Sequence, residues 1–240
     1  MSTAPRIDAG DLGLPQERSQ RKRTLLKRTV DIVLGSLGLL LALPVIACLV
    51  VVIRLDSPGP ALFGQRRIGR LGRPFTLWKL RSMYQDSSQA FHLQAAQDWF
   101  EERASGGRYK TEADPRITRV GRYLRRSSFD ELPQLFNVLR GEMSLVGPRP
   151  MMPSDRSSYE RWYFEREAMK PGITGLWQVS GRERLSAPEM MVLDVRYVRE
   201  SSLWFDIQIM ARTVTTVIAD LRRDDKSVRR AKRPFRVEEA

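Results

Sequence analysis

From Val30 to Leu55 the chain reads VDIVLGSLGLLLALPVIACLVVVIRL, and no residue between Asp31 and Arg54 carries a charge. About 20 apolar residues are enough to cross the hydrocarbon core of a bilayer. The run is longer than a usual apolar signal segment, and the RLDSPGP that follows offers no small-x-small cleavage site, which sets a signal peptide aside. A straight transmembrane helix is disturbed by Pro44 near its middle, where proline removes a backbone donor and crowds the preceding turn. Both flanks are also basic. Arg21, Lys22, Arg23, Lys27 and Arg28 precede the run, and Arg54, Arg66, Arg67, Arg70 and Arg73 follow it. Positive flanks favour the cytoplasm. A single crossing exports one cluster, whereas a re-entrant helix hairpin that enters, bends at Pro44 and returns keeps both inside. Spanning helices tolerate proline too, so the run alone leaves both topologies open.

Charge narrows the partners. Lys and Arg number 41 against 28 Asp and Glu, a formal net charge of +13, which favours anionic lipid, nucleic acid or phosphorylated small molecules. No helix-turn-helix, zinc-finger or aromatic RNA-binding signature accompanies that charge, and the arginines are spread along the chain, so nucleic acid is not an expected partner. A membrane-tethered nucleic-acid-binding or scaffold protein without catalysis remains the alternative class. Cys48, the one cysteine, cannot form an internal disulfide and reads as a small packing residue of the apolar run. His92 stands in a polar stretch without a second ligand and reads as a surface residue.

The expected fold is mostly α with a small β element. It comprises an N-terminal re-entrant membrane helix hairpin and a compact cytosolic domain with interfacial amphipathic helices. The expected divisions are a mobile basic tail over 1–23, the membrane element over 24–55, the globular domain over 56–222 and a basic C-terminal tail over 223–240. After the turn cluster DSPGP, Ala61–Phe63 and Phe75–Leu80 read as a strand pair around a Gly-rich basic turn. Helices are expected around Ala90–Arg103, over 154–169 with Tyr159, Trp162, Tyr163 and Phe164, and over Ser186–Glu200. A last one is expected from about Trp204 to Arg222, with Ile207, Met210, Val214, Val217 and Leu221 forming its apolar stripe. The aromatics of 159–164 and Trp204–Phe205 suit either an interfacial belt or a core.

Chemistry concentrates in DPRITRVGRYLRRSSFDELPQLFNVLRGEMSLVGPRP, Asp114 to Pro150. Ser128 with Glu131 three residues on has the spacing of a capping box, and Pro133 is tolerated in a first helical turn, so a helix start is expected near Ser128–Asp130. Leu132, Leu135, Phe136 and Leu139 are its expected buried face. Asp130 and Glu131 then lie at a helix N-terminus, which favours anions. Arg122, Arg125 and Arg126 stand just before and Arg140 and Arg149 after. Such a carboxylate pair in a basic ring is either neutralised by the arginines or holds a divalent cation and attacks phosphorus while the arginines bind phosphate.

The run SSFDELPQLFNVLRGEMSLVGPRP resembles the central signature of the bacterial sugar transferases, the single-domain membrane phosphoglycosyl transferases. The resemblance extends to FGQRRIGRLGRPFTLWKLRSM (Phe63–Met83), KPGITGLWQVSGR (Lys170–Arg182) and LDVRYVRESSLWFDIQIMARTV (Leu193–Val214), covering about residues 24 to 222 in family order. It implies that Asp130 is a nucleophile that attacks the sugar-bearing phosphorus of a UDP-sugar, expels UMP and passes the phosphosugar to polyprenyl phosphate. It further implies that Glu131 completes the dyad and, with Asp130, holds Mg²⁺. By the same resemblance Arg149 in GPRP and Arg182 in SGR bind phosphate, with Lys79, Arg81 and Arg125 as further phosphate candidates. Pro44 marks the membrane break, and membrane lipid is a further partner. The implied location is the bacterial inner membrane with the catalytic domain on its cytoplasmic face. Leu43 stands where the family often has Ser before that proline, and Glu142 where Asp is frequent.

Overall fold

The computed structural model describes residues 17–84, 116–153, 161–182 and 185–231. Residues 1–16 of the expected mobile tail over 1–23 lie outside them, as do the expected helix over 90–103, His92, and most of the aromatic segment over 154–163; residues 17–23 of that tail are helical instead. The first element is a single helix, α1, Glu17–Asp56. At 1.5 Å per residue its 40 residues extend about 60 Å if straight, twice the hydrocarbon core of a bilayer. The helix begins before the expected boundary at residue 24, and the helical assignment passes through Pro44 without interruption. The segment Thr24–Asp56 is long and apolar enough to cross a membrane, and its apolar surface is largely uncovered, with Leu37, Leu40, Leu41, Val51 and Leu55 exposed. Cys48, expected to pack, is exposed there as well.

Both ends of α1 are nevertheless fastened to one globular domain. Near its start, Arg28 donates to the carbonyls of Val138 and Leu139 at 2.6 and 2.7 Å. The buried Asp31 accepts from Ser144 Oγ and from the Leu145 amide at 3.0 and 2.9 Å. Near its end, Ile53 packs with Ala61, Leu80 and Leu124, and Asp56 accepts from the Val120 amide at 3.2 Å.

The domain starts with the antiparallel pair β1, Leu62–Ile68, and β2, Pro74–Leu80, in register from Leu62↔Leu80 to Ile68↔Pro74 around a short 3₁₀ turn at 70–72. This is the hairpin that the Gly-rich basic turn implies. Then come α2, Arg119–Ser127, a 3₁₀ turn Phe129–Glu131, and α3, Gln134–Arg140. Strand β3, Ser144–Val146, pairs in parallel with β4, Gly172–Thr174. The chain between them includes a 3₁₀ stretch, Arg161–Ala168, rather than the expected α-helix. Three helices finish the described chain: α4, Leu176–Ser180; α5, Ala187–Glu200; and α6, Leu203–Ala231.

Helix α5 begins where expected because Ser186 and Glu189 form a reciprocal capping box. Its inner side, Met190, Met191, Val195, Tyr197 and Val198, fills the two cores under β3, β4 and α4. The faces of α3 and α6 differ from expectation. On α3 the fully buried residues are Gln134, Asn137 and Val138, while Phe136 is exposed. Asn137 accepts from the Trp78 amide and donates to Thr76 O and Glu142 Oε2, stitching α3 to β2. Leu135 and Leu139 turn instead toward Gly38 and Gly35 of α1, respectively, at van der Waals distance. On α6 the expected stripe divides. Asp206 and Ile209 face the core with Met210, whereas Trp204, Ile207, Val214 and Ile218 form an exposed apolar face. Phe205, by contrast, stacks on Tyr197 with ring centroids 5.9 Å apart. Helix α6 also continues past the expected end at Arg222.

One buried polar knot joins the first and last helices. Lys27 Nζ donates to Asp206 Oδ2 at 2.6 Å and to Val146 O at 2.9 Å, and Tyr197 Oη donates to Asp206 Oδ1 at 2.6 Å. Burial and the Asp206 carboxylate push the Tyr197 phenol far above its usual range, so it stays a donor.

Candidate active site

The Asp130–Glu131 pair owes its position to a reversal of the backbone. Ser128 ends α2 in the left-handed conformation, φ 59° and ψ 17°, and the chain turns there into the 3₁₀ segment Phe129–Glu131. The expected capping box is therefore absent, because a left-handed Ser128 cannot present its hydroxyl to the amides that follow. Its Oγ accepts instead from Arg182 Nη2 at 2.8 Å. Pro133 serves as N-cap residue of α3, so the carboxylates precede the helix by a turn rather than occupying its first turn. Anion attraction at this place rests on side-chain cations more than on a helix dipole.

Two of the expected cations, Lys79 and Arg182, meet the dyad around that turn. Lys79, near the end of β2, makes an ion pair with Glu131 at 3.0 Å, with the two side chains 25% and 26% exposed. Arg182 arrives from the far end of α4 through its bond to Ser128, two residues before Asp130. Arg182 itself has φ 53°, a left-handed geometry unusual for a non-glycine residue. Asp130 is buried, 8% exposed. Beside it opens a cleft of about 260 Å³ lined by Ser128, Glu131 and Arg182 on one side and by residues of α3, β4, α4 and α6, among them Leu135, Ile173 and Val217, on the other. Arg125 is half-buried in the last turn of α2.

Arg149 is held against α4 and α5. Its guanidinium lies 4.6 Å over the Trp177 ring. Its amide donates to Asp194 Oδ2 at 3.0 Å, and its carbonyl accepts from Arg166 Nη2. Arg166 also donates to Asp194 at 2.5 Å, with both side chains almost fully buried. Arg67 donates to Pro150 O at 3.1 Å from the hairpin side. The GPRP loop is thereby pinned at three backbone groups of two successive residues, Arg149 and Pro150. Its glycine has a separate purpose: Gly147 N donates to Thr174 O, and Gly172 N donates to Pro148 O, both at 2.9 Å. Backbones this close leave no space for a Cβ at Gly147 or Gly172.

Arg81 is not brought to the site. Its guanidinium donates to Pro58 O at 2.5 Å and to Ser57 O and Ser57 Oγ at 2.6 and 3.1 Å, where it closes the end of α1. Pro44 lies within α1, remote in sequence from every other site residue. Sequence reading missed Ser128, Trp177, Arg166 and Asp194. A signal existed for the last: Asp194 occupies a core position in the apolar period of α5, between Met190 and Val198, and a buried carboxylate there needs a cation.

Among the described residues no group of three or more His, Cys, Asp or Glu forms a protein-only metal cage. The dyad offers adjacent hard carboxylate oxygens without a soft ligand. One or two carboxylates completed by substrate phosphates and water is the usual way Mg²⁺ is held, and the dyad fits that donor set.

Comparison with known proteins agrees with these motifs. Residues 22–220 match the family model described as bacterial sugar transferase. The undecaprenyl-phosphate galactose phosphotransferase of Salmonella typhimurium is 41% identical over 213 residues, covering 89% of this chain and 44% of that protein. The UDP-glucose:undecaprenyl-phosphate glucose-1-phosphate transferase of Escherichia coli is 43% identical over 198 residues, 79% of this chain and 39% of its own length. The exopolysaccharide production protein ExoY of Rhizobium meliloti is 35% identical over 222 residues, 90% of this chain and 97% of its own. The chain thus spans about two fifths of the first two relatives and nearly all of the third.

Proposed function

The chain belongs to the bacterial sugar transferase family, and from that premise we propose that it transfers a sugar-1-phosphate from a UDP-sugar to undecaprenyl phosphate. The reaction releases UMP and starts assembly of an exopolysaccharide, O-antigen or related glycan at the cytoplasmic face of the inner membrane. The observation that carries this reading is the carboxylate turn Asp130–Glu131 set between Lys79 and the Ser128-bound Arg182, on a domain fastened to a long apolar helix. The names of the relatives support the substrates.

In the first step an oxygen of the Asp130 carboxylate bonds to the sugar-bearing phosphorus. The bond from that phosphorus to the bridging oxygen breaks, and UMP leaves with the oxygen and its electron pair. In the second step a phosphate oxygen of the lipid bonds to the same phosphorus, and the carboxyl–phosphorus bond breaks to restore Asp130. Two sequential displacements give ping-pong kinetics. Lys79 holds Glu131 in place and adds positive charge beside the diphosphate, while Arg182, Arg149 and Arg125 supply phosphate donors. Asp130 and Glu131 would hold Mg²⁺, which would offset phosphate charge and make the displaced group a better leaving group.

The topology of α1 follows from its attachments. Lys27, Arg28 and Asp31 at one end and Ile53 and Asp56 at the other all bond or pack to the same domain. A full crossing would separate those ends by the bilayer, so this pattern supports a re-entrant helix. The exposed apolar face of α6, Trp204, Ile207, Val214 and Ile218, supports an interfacial helix beside it. The lipid phosphate and the cytosolic nucleotide sugar would then meet at one surface.

The test is UMP release by the purified chain with undecaprenyl phosphate and a panel of UDP-sugars, beside Asp130→Asn. Turnover with at least one sugar, lost in the variant, is expected. Silence across the panel, or an active Asp130→Asn enzyme, would count against the proposal.

A further inference from the structure

At the end of α3 away from the dyad, Arg28 and Lys170 meet beside Gly141, and Arg70 lies near enough to Lys170 to repel it. Arg28 spends its guanidinium on the α3 carbonyls of Val138 and Leu139. A Cβ placed on Gly141 would lie 3.5 Å from Arg28 Nη2 and 3.5 Å from Lys170 Nζ, so the two nitrogens stand no more than twice that distance apart. Arg70 joins them from the β1–β2 turn, where its Nε donates to Ala168 O at 3.0 Å, two residues before Lys170. Among the described residues none of the three has a carboxylate within ion-pair distance. Arg140, the next cation, already leans on Phe136 and Glu142.

The cluster is electrostatically unbalanced. Burial holds the Lys170 ammonium below the usual lysine range, and Arg28 and Arg70 push it the same way, opposed by Asp31. One oxygen of that carboxylate, Oδ1, is already taken, accepting from Ser144 Oγ and the Leu145 amide. Lys170 keeps three ammonium donors and has no hydrogen-bond acceptor among the described residues. An anion with several oxygens would relieve the repulsion and take those donors.

Position selects the anion. Arg28 stands two residues before Val30, where the chain passes from its basic flank into the apolar run, and the neighbouring Leu25 and Leu26 are exposed. Such a boundary lies at the level of lipid headgroups. The cluster is also separated from the dyad by the length of α3, about 10 Å for seven residues. We propose that Lys170, Arg28 and Arg70 form a binding site for the phosphate of an anionic phospholipid, which seats the domain on the membrane beside α1. The site does not depend on Asp130 being a nucleophile.

The whole chain placed in nanodiscs of phosphatidylcholine, alone or with phosphatidylglycerol, tests this. The rate of Lys170 acetylation is followed by mass spectrometry, with Lys79 as internal reference. Lys170 is expected to react about fivefold more slowly in phosphatidylglycerol, the occupancy change that one lysine on anionic lipid supports, while Lys79 is unchanged. The exposed Arg70→Gln is expected to shrink that protection, and Lys170→Gln to lower the phosphatidylglycerol retained in native mass spectra. Equal Lys170 rates in the two nanodiscs would overturn the site. Equal protection by millimolar inorganic phosphate in phosphatidylcholine discs would overturn its assignment to lipid. UMP release measured on the same preparations reports on the catalytic reading separately.

Discussion

Replacing Lys27 with methionine probes how the long apolar helix α1 is joined to the globular domain. Lys27 gives Asp206 its only cationic partner among the described residues, at 2.6 Å, and satisfies Val146 O at 2.9 Å. Methionine fills a similar volume but leaves Asp206 with the Tyr197 hydroxyl as its one strong donor, since that single proton cannot also serve Val146 O. The two side chains are 17% and 8% exposed. Removing one partner of a buried pair costs roughly 3–5 kcal/mol, and the residual exposure of Lys27 puts the expected loss near the lower end, about 3 kcal/mol. For a chain of this size that is a fall in Tm of about 6–12 °C. Thermal unfolding in detergent measures it. Asp206→Asn completes a double-mutant cycle, in which the pair should lose much less than the sum of the single variants. Additive losses, or a Lys27→Met protein within about 1 kcal/mol of wild type, would refute the knot as the joint between α1 and α6.

Other substitutions separate the site from its scaffold. Lys79→Met should lower kcat by about a hundredfold, as removal of a preorganised charge does elsewhere, with little change in Tm; steady-state UMP release decides. Arg81→Ala should do the reverse, costing about 3 kcal/mol through lost bonds to Ser57 and Pro58 while KM for the UDP-sugar stays unchanged. Gly172→Ala drives a Cβ into the Gly147 backbone and should cost more than about 4 kcal/mol, read as loss of folded protein on size-exclusion chromatography.

Long periodic signals in the sequence carried far. The apolar run, the hairpin around the basic turn, and α5 with its Ser186–Glu189 cap all follow from local chemistry, and local chemistry formed them. Amphipathic helices were harder, for a physical reason. Where a helix carries apolar residues on an exposed side as well as on its packed side, period alone does not say which is the core. On α6 the core side carries Asp206 because Lys27 lies opposite, and Ile207 and Val214 face outward. The turn before α3 misled in another way. Ser128 and Glu131 have cap spacing, but the end of α2 forces Ser128 into a left-handed conformation and gives its hydroxyl to Arg182. Arg81 has the same parity as Lys79, yet β2 ends at Leu80 and the arginine turns to the carbonyls at the end of α1. The dyad, Lys79 and Arg182 came from motif resemblance; their meeting around one turn depends on contacts between residues 50 or more positions apart.

A covalent step at Asp130 is most directly examined by isotope exchange. Labelled UMP is incubated with a UDP-sugar that the protein accepts and with no polyprenyl phosphate present. Label should enter the UDP-sugar with the wild-type protein and not with Asp130→Asn, because the first displacement runs backward without the lipid. Exchange that requires polyprenyl phosphate, or that persists in Asp130→Asn, would contradict a phosphosugar carried on this carboxylate.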